Sequence, residues 1–275
     1  MVAQLRLARP IRPPEACEFI LGLQSMQSGN LIVDHGTLHT CNEMVVGHQG
    51  KGTVRITNAD SSVTNTFGAT IGEQAGSYGS VSVGNHGDWT VGEGLYGVGI
   101  YVGGTNTGTG GTGLVSVTNG GSVSAVSVYV WGSGTLTGNG TVNVNSSSGT
   151  ATFDGTLAPN GGGGTLTVDG SLQLNGSATT QCKVAPQDPS TTPQVSVSKQ
   201  VSLGGRLSVN MTGDFSSAPT RFTLLYADSF DVGHITFNST SITYPTDQRC
   251  WVPQITYDYT GGHVSVYLDR VYTCN

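Results

Sequence analysis

The chain has 275 residues, a formal net charge of −6 and only 10% charged residues. Because nucleic-acid binding requires clustered Lys and Arg, this balance predicts no nucleic-acid partner. No stretch approaches the roughly 18 apolar residues that a membrane helix needs, which predicts no membrane span. The 42 glycines, together with Val, Ile and Leu in alternation, indicate a β protein with many tight turns rather than a disordered chain.

Residues 1–44 precede the clear repeats, and we expect them to cover one end of the fold or to pair with a neighbouring molecule. His35, His39 and His48 lie near Asp34 in and just after this segment. Their spacing is not diagnostic of a metal site, so scattered surface histidines are the favoured interpretation. The sequence therefore predicts no metal and no cofactor.

An internal repeat of the form Gly-x-Val-x-Val, often followed by Asn, organises residues 45–175. Close copies begin at Gly52, Gly79, Gly113 and Gly140, 27 to 34 residues apart, and looser copies follow after 24 and 41 residues at Gly164 and Gly205. Each copy alternates apolar and polar residues, which predicts a short strand with one face turned inward. A repeat of this length with two or three such strands predicts one coil of a right-handed parallel β-helix, a β-solenoid with capping segments.

Equivalent aliphatic side chains of successive coils are expected to stack into two inward ladders. Burying each of them contributes roughly 1.5–3 kcal/mol. The predicted members are Val54, Ile56, Val81, Val83, Val115, Val117, Val142 and Val144.

Three asparagines occupy the same offset in their repeats, four residues after the first Val: Asn58, Asn85 and Asn119. Asn tolerates the left-handed backbone of a sharp corner, and stacked Asn side chains can hydrogen-bond along the solenoid axis. The alternative is a generic Asn-Gly hairpin turn. The equal offsets favour a corner ladder.

Residues 45–145 resemble the T5SS/PEP-CTERM-associated repeat of autotransporter passengers and related bacterial surface proteins. The matching features are the Gly-x-Val-x-Val core, the Asn119–Val123 turn, the Gly87–Val91 stretch and an apolar-Gly landmark that precedes several copies. That landmark reads Val46-Gly47, Ile71-Gly72, Val102-Gly103 and, as a variant, Trp131-Gly132. Residues 128–175 resemble the closing coils of such passengers. The resemblance implies a right-handed β-helix in an extracellular or cell-surface location.

Residues 176–275 are expected to form the final coils and an aromatic, cysteine-containing C-terminal cap, with a terminal hairpin around Gly261-Gly262. In an exported protein we expect Cys17 to pair with Cys41 and Cys250 with Cys274. Cys182 would then be left over, either buried and inert or bridging to another chain. The alternative is five reduced thiols in a cytosolic protein.

Acidic residues are sparse across residues 45–180: Asp60, Glu73, Asp88, Glu93, Asp154 and Asp169. Because no basic cluster accompanies them, solvated corner carboxylates are favoured over a lyase or hydrolase site, and no catalytic residue is predicted. Ser and Thr alternate along the strands, which suggests hydroxyl faces that bind ice or sugar. Arg55 and Asn143 interrupt that array.

These observations favour a secreted or cell-surface structural or adhesive β-solenoid, and not an enzyme. Its expected partners are other copies, met through the solenoid ends to build an extracellular fibre, and surface glycans or other cell-surface proteins. The alternative is a carbohydrate-binding or carbohydrate-active β-helix, with an ice-binding protein as a minor alternative.

Overall fold

The structure, a computed structural model, describes residues 2–7, 19–92, 99–144, 149–159, 164–188, 192–215, 218–245 and 251–272. These residues are almost entirely β-strand, with one short 3-10 turn at Thr260–Gly262. Most strands pair in parallel with the strand one coil before and the strand one coil after. The predicted all-β parallel β-helix is therefore confirmed. None of the described residues belongs to a helix long and apolar enough to cross a membrane.

The described strands are, in chain order, β1 Val2–Leu7, β2 Phe19–Leu21, β3 Ser28–Asp34, β4 Thr37–Thr40, β5 Met44–Val46, β6 Lys51–Thr57, β7 Ser62–Asn65, β8 Ala69–Ile71, β9 Tyr78–Gly84, β10 Asp88–Val91, β11 Ile100–Val102, β12 Thr112–Val117, β13 Ser122–Ala125, β14 Val128–Val130, β15 Gly134–Gly138, β16 Thr141–Val144, β17 Thr150–Phe153, β18 Thr156–Pro159, β19 Leu166–Asp169, β20 Ser171–Leu174, β21 Thr179–Val184, β22 Val195–Ser202, β23 Arg206–Met211, β24 Arg221–Phe230, β25 Ser239–Thr243, β26 Trp251–Asp258 and β27 Val264–Tyr272.

Three stacked faces form the solenoid, and a regular coil contributes one strand to each. The first face is the parallel sheet β1-β3-β6-β9-β12-β15-β18-β21-β23-β25. The second face stacks β4, β7, β10, β13, β16 and β19, and the third stacks β2, β5, β8, β11, β14, β17 and β20. β22 is long enough to pair with both β19 and β20, so it runs through the second and third faces.

Inward aliphatic side chains lie directly over one another on the first face. Val54 of β6 is in register with Val81 of β9, which is in register with Val115 of β12. Ile56, Val83 and Val117 form the neighbouring column, and all six side chains are buried. The alternation of the repeat fixes which side chains point inward, since successive residues of a strand face opposite sides.

The predicted place of Val142 and Val144 in this ladder is wrong. Both are buried, but they lie on β16 of the second face, in register with Val123 and Ala125. The first-face ladder continues instead through Leu136 of β15. Only 21 residues separate Gly113 from Gly134 in this shortened coil. β15 begins at Gly134 and β16 directly follows Gly140, and both strands alternate buried with partly exposed residues. Sequence alternation alone does not distinguish the two faces.

The first glycine of each repeat lies where the chain passes from the third face to the first. Gly52, Gly79, Gly113 and Gly134 stack in register with one another. A Cβ added to Gly79 would lie 2.1 Å from the carbonyl oxygen of Val46, in the corner of the preceding coil. No side chain fits this contact, so the repeat requires glycine there for close packing of successive coils.

The three asparagines have left-handed backbones, with φ of 81° at Asn58 and 51° at both Asn85 and Asn119. Asn119 Nδ2 donates to Asn85 Oδ1 at 3.4 Å, whereas Asn85 Nδ2 donates to Thr57 Oγ1 at 3.0 Å. Asn58 Nδ2 donates to Asp34 Oδ1 at 2.6 Å. The corner bonds therefore run along the solenoid axis, but a direct Asn–Asn step is present only between Asn85 and Asn119 among these three.

The solenoid begins before the boundary predicted at residue 45. β3 and β4 are in register with β6 and β7, so residues 28–40 already form part of a coil. Gly29, Leu31 and Val33 match the repeat, but Ile32 between them makes the segment read as a continuous apolar run. The part of residues 1–44 that the structure describes is thus coil rather than a separate cap.

The C-terminal region continues the first face through β21, β23 and β25. The predicted terminal hairpin is present: β26 and β27 pair antiparallel, and β27 also pairs antiparallel with β24. Gly261 and Gly262 lie between the hairpin strands with φ of 70° and 83°. Arg221 binds Asp269 through two hydrogen bonds of 2.6 and 2.9 Å, which joins β24 to β27.

We expect Gly79→Ala to lower the free energy of unfolding by about 3 kcal/mol, because the new methyl group overlaps the backbone of the preceding coil. Urea denaturation followed by circular dichroism measures the change. Gly132→Ala is the matched control, since a Cβ there meets nothing within 4 Å and its effect should be within about 0.5 kcal/mol. Equal losses in both variants would contradict the close-packed corner.

Candidate ligand-binding face

The outward side of the first face is not a regular hydroxyl array. Thr53 and Ser80 lie in one column, but Leu114 is the next member. In the neighbouring column Arg55 precedes Ser82. The outward side of the first face therefore lacks the flat, regularly repeated hydroxyl surface that would favour ice binding.

The second face is lined by short hydroxyls that are partly satisfied among themselves. Asn143 Nδ2 donates to Ser122 Oγ and to Ser124 Oγ, both at 3.1 Å. Asp88 is in register with Ser62 and Ser122, and not with Asp60. The second face therefore carries no stacked pair of Asp60 and Asp88 carboxylates.

The third face carries a different outward column. Register places Tyr101 of β11 beside Tyr129 of β14, followed by Thr152, Gln173 and Ser202 on β17, β20 and β22. Ile20, Val45 and Thr70 precede Tyr101 in this column. In the part from Tyr101 to Ser202, aromatic rings come first, and hydroxyl and amide groups follow.

The corner at the end of the third face changes along the solenoid. In the early coils it is the landmark glycine, with φ of 79° at Gly47, 73° at Gly72 and 80° at Gly103. In later coils the residue that directly follows the third-face strand is not glycine and carries a side chain. These residues follow Val130, Phe153 and Leu174, and they are Trp131, Asp154 and Asn175.

The three corner side chains are linked to one another and to the outward column. The rings of Tyr129 and Trp131 have centroids 4.3 Å apart with planes inclined by 42°. The Tyr129 hydroxyl donates to Asp154 Oδ2. Asn175 Nδ2 and Ser177 Oγ each donate to Asp154 Oδ1 at 3.0 Å. One network therefore spans three successive coils.

The network holds Asp154 as a carboxylate. Although partial burial opposes it, the hydrogen bonds from Tyr129, Asn175 and Ser177 lower the pKa of Asp154 below its usual range. Partial burial, with the hydrogen bond to Asp154 and its negative charge, raises the pKa of Tyr129 to about 12. Tyr129 therefore remains a neutral donor at physiological pH.

A concavity of about 450 Å³ lies at the polar end of the third face. Its lining includes Gln173, Asn175, Gln200 and Ser202, with Asp231 and His234 at the far side. Asp231 Oδ2 is 3.0 Å from His234 Nδ1, and Asp231 Oδ1 accepts from the Gly233 amide at 3.1 Å.

Asp231 is ionised and oriented by its neighbours. The hydrogen bonds from the Gly233 amide and from His234 lower the pKa of its carboxyl. Ser202 Oγ contacts the same Oδ2 atom as His234, at 3.5 Å. In a Ser-His-Asp triad the histidine lies between the serine and the carboxylate, whereas here the carboxylate lies between Ser202 and His234. His234 is therefore not placed to accept a proton from the Ser202 hydroxyl.

The histidines considered as metal ligands lie in separate contacts. His35 Nδ1 is 2.8 Å from Asp34 Oδ1, His39 Nε2 is 3.5 Å from Thr66 Oγ1, and His48 Nδ1 binds Glu73. Within the described residues, no group of three or more His, Cys, Asp or Glu side chains could hold a metal ion.

The remaining acidic candidates are dispersed. Asp60 is exposed, and Asp169 accepts a hydrogen bond of 2.6 Å from Ser198. Glu93 lies outside the described residues.

Of the cysteines, Cys17, Cys250 and Cys274 lie outside the described residues, so both expected disulfides stay predictions. Cys182 lies on β21 within the core and is only 2% exposed. Burial raises the pKa of its thiol to about 12, which keeps it protonated. A bridge from Cys182 to another chain would require the coils to open.

Sequence reasoning did not identify the face formed by Tyr129, Trp131, Asp154 and Asn175. The sequence feature that could have identified it is the loss of the apolar-Gly landmark. In three successive coils the residue after the apolar one is not glycine. Only the first of these, Trp131-Gly132, was visible as a variant, since Asp154 and Asn175 do not stand beside a complete repeat copy. No protein-family model matches the sequence, and no curated protein is significantly similar to it.

We expect Asp154→Asn to lower the free energy of unfolding by about 1–2 kcal/mol at pH 7, because it weakens three hydrogen bonds to an ionised group. A lowered folded-state pKa stabilises the fold above the unfolded pKa near 3.8, and this is lost as pH falls through the folded value. The difference between wild type and variant should therefore shrink toward pH 3 in urea titrations. The exposed Asp60→Asn is the control, and a difference that stays constant with pH would contradict the assignment.

Proposed function

We propose that this chain is an extracellular or cell-surface adhesive β-solenoid whose third face makes the adhesive contact. The observation that carries the proposal is the continuous outward band of rings, amides and hydroxyls from Tyr101 to Ser202 on the stacked third-face strands. Aromatic and hydrogen-bonding groups that are held in place on regular strands form a surface that can recognise a partner by packing and hydrogen bonds rather than by charge.

The solenoid supports this band with a rigid core. Buried aliphatic side chains extend from Leu31 on β3 to Leu268 on β27 as one cluster. Each coil rests on its neighbours, so outward side chains are held at the spacing of the strands. A stiff rod with regularly spaced outward groups suits contact with an extended partner, which agrees with the resemblance to surface-protein repeats.

Adhesion can be measured with microspheres coated with the chain and held on test surfaces under increasing shear flow. We expect retention on at least one of three surfaces: a neutral polysaccharide, a collagen matrix or the chain itself. Beads carrying Val115→Asp, which places a charge in the core and should unfold the rod, are the matched control. Retention no greater than that of albumin-coated beads on all three surfaces would refute an adhesive role.

A second candidate function, assembly into a fibre, is favoured by the ends of the first face. Within the described part of the chain, β1 pairs only with β3 at one end, and β25 pairs only with β23 at the other. Ile242 of β25 extends the inward column of Val209 and is only partly buried. Open parallel edges at both ends can join head to tail, and such a contact does not close on itself.

Sedimentation velocity over a concentration series tests this assembly. We expect the wild type to form larger species as concentration rises, and Ile242→Lys to remain monomeric because it places a charge at the open core. Thr243→Lys, at an exposed outward position of the same strand, should assemble as the wild type does. A wild type that stays monomeric at all concentrations would exclude end-to-end assembly.

A further inference from the structure

We propose that the concavity and the aromatic band of the third face form one groove that binds a neutral polysaccharide. The inference deepens the adhesive function proposed above, since it names the site and the chemical class of its ligand. It rests on four properties of the groove: its rings, its polar groups, its charge and its length.

Rings at one end offer apolar faces to sugar. Tyr101, Tyr129 and Trp131 lie on adjacent coils and are partly exposed. Trp131 is fixed by a 2.8 Å hydrogen bond from Nε1 to the Thr105 carbonyl oxygen, and Tyr129 is fixed by Asp154. Rings already held in place lose little conformational freedom on binding, so they can cover the C–H face of a sugar ring at low entropic cost.

Polar side chains at the other end match the hydroxyls of sugar. The amides of Gln173 and Gln200 each supply a donor and an acceptor, and Ser202 supplies both from one atom. The carboxylate of Asp231 is a strong acceptor for a hydroxyl group. The concavity of about 450 Å³ falls within the range of ligand pockets, about 300–1,000 Å³.

The charge of the groove favours an uncharged ligand. Among the described residues that line the concavity, none is Lys or Arg. Asp154 and Asp231 both have lowered pKa values, so two carboxylates border the groove at neutral pH. Uronate or sulfate groups would meet these charges without a compensating Lys or Arg among the described lining residues, which disfavours anionic polysaccharides.

The groove is long enough for several sugar units. Tyr129, Thr152, Gln173 and Ser202 are on successive third-face strands, and Asp231 contacts Ser202 from the next coil. These four steps span roughly 19 Å at the usual strand spacing. A polysaccharide would therefore run across the strands, parallel to the solenoid axis.

Isothermal titration calorimetry with defined probes tests the groove. The neutral probes are cellopentaose, xylopentaose and mannopentaose, and the comparison probes are pentagalacturonate and gelatin. We expect at least one neutral probe to bind with an affinity that changes little between 50 and 500 mM NaCl. Tyr129→Ala and, separately, Gln173→Ala should weaken that binding about tenfold or more.

Matched controls separate the groove from the rest of the surface. Tyr78→Ala removes an outward tyrosine of the first face, and Gln181→Ala removes an exposed first-face glutamine, so both should bind as the wild type does. Gln173→Ala keeps the test valid if Tyr129→Ala fails to fold, because Gln173 is exposed.

Two results of the wild-type titrations would overturn the inference: no neutral probe binds, whether or not gelatin does, or pentagalacturonate binds as tightly as the best neutral probe. Neutral binding that is equal in Tyr129→Ala and Tyr78→Ala would also overturn it. If the microspheres adhere under flow but these titrations fail, the groove is wrong and the adhesive function stands. If the sugars bind but the microspheres do not adhere, the adhesive function is wrong and the groove stands.

Discussion

The close approach of successive corners is the constraint on which this solenoid depends. At Gly79 the backbone of one coil lies so near the carbonyl of Val46 in the previous coil that no side chain fits between them. Glycine there allows the corners to approach as closely as the hydrogen-bonded strands do, and the parallel register of those strands places Val81 over Val54 in the core. The same register aligns the outward side chains, so the core and the surface columns have one origin.

Much of this architecture follows from the sequence, because period-two alternation and a recurring glycine directly specify strand and corner. The register of Val54, Val81 and Val115, and the left-handed corners at Asn58, Asn85 and Asn119, are properties that alternation and residue type control. Alternation and residue type do not control the face to which a strand belongs. Val142 has the local pattern of a first-face strand yet lies on the second face, because the number of residues in each corner decides the face and varies from coil to coil.

The proposed binding face was harder to predict for a related reason. Its members, such as Tyr129, Asp154 and Asn175, are more than 20 residues apart in sequence and meet only after the coils stack. A repeat search also gives weight to what recurs, whereas this face is built where the repeat is broken. Trp131, Asp154 and Asn175 take the place that glycine holds in the earlier corners, so a search for recurring residues passes over them.

Because each coil contacts mainly the coils on either side, the solenoid can gain or lose a whole coil without disturbing the rest. A coil of the kind that carries Trp131 or Asp154, duplicated in place, would lengthen the outward column by one strand spacing. Gene duplication within the repeat would thus change the length of the outward column along the solenoid axis in steps of one strand spacing. Among related chains, the number of coils would then decide how long a partner the column can contact.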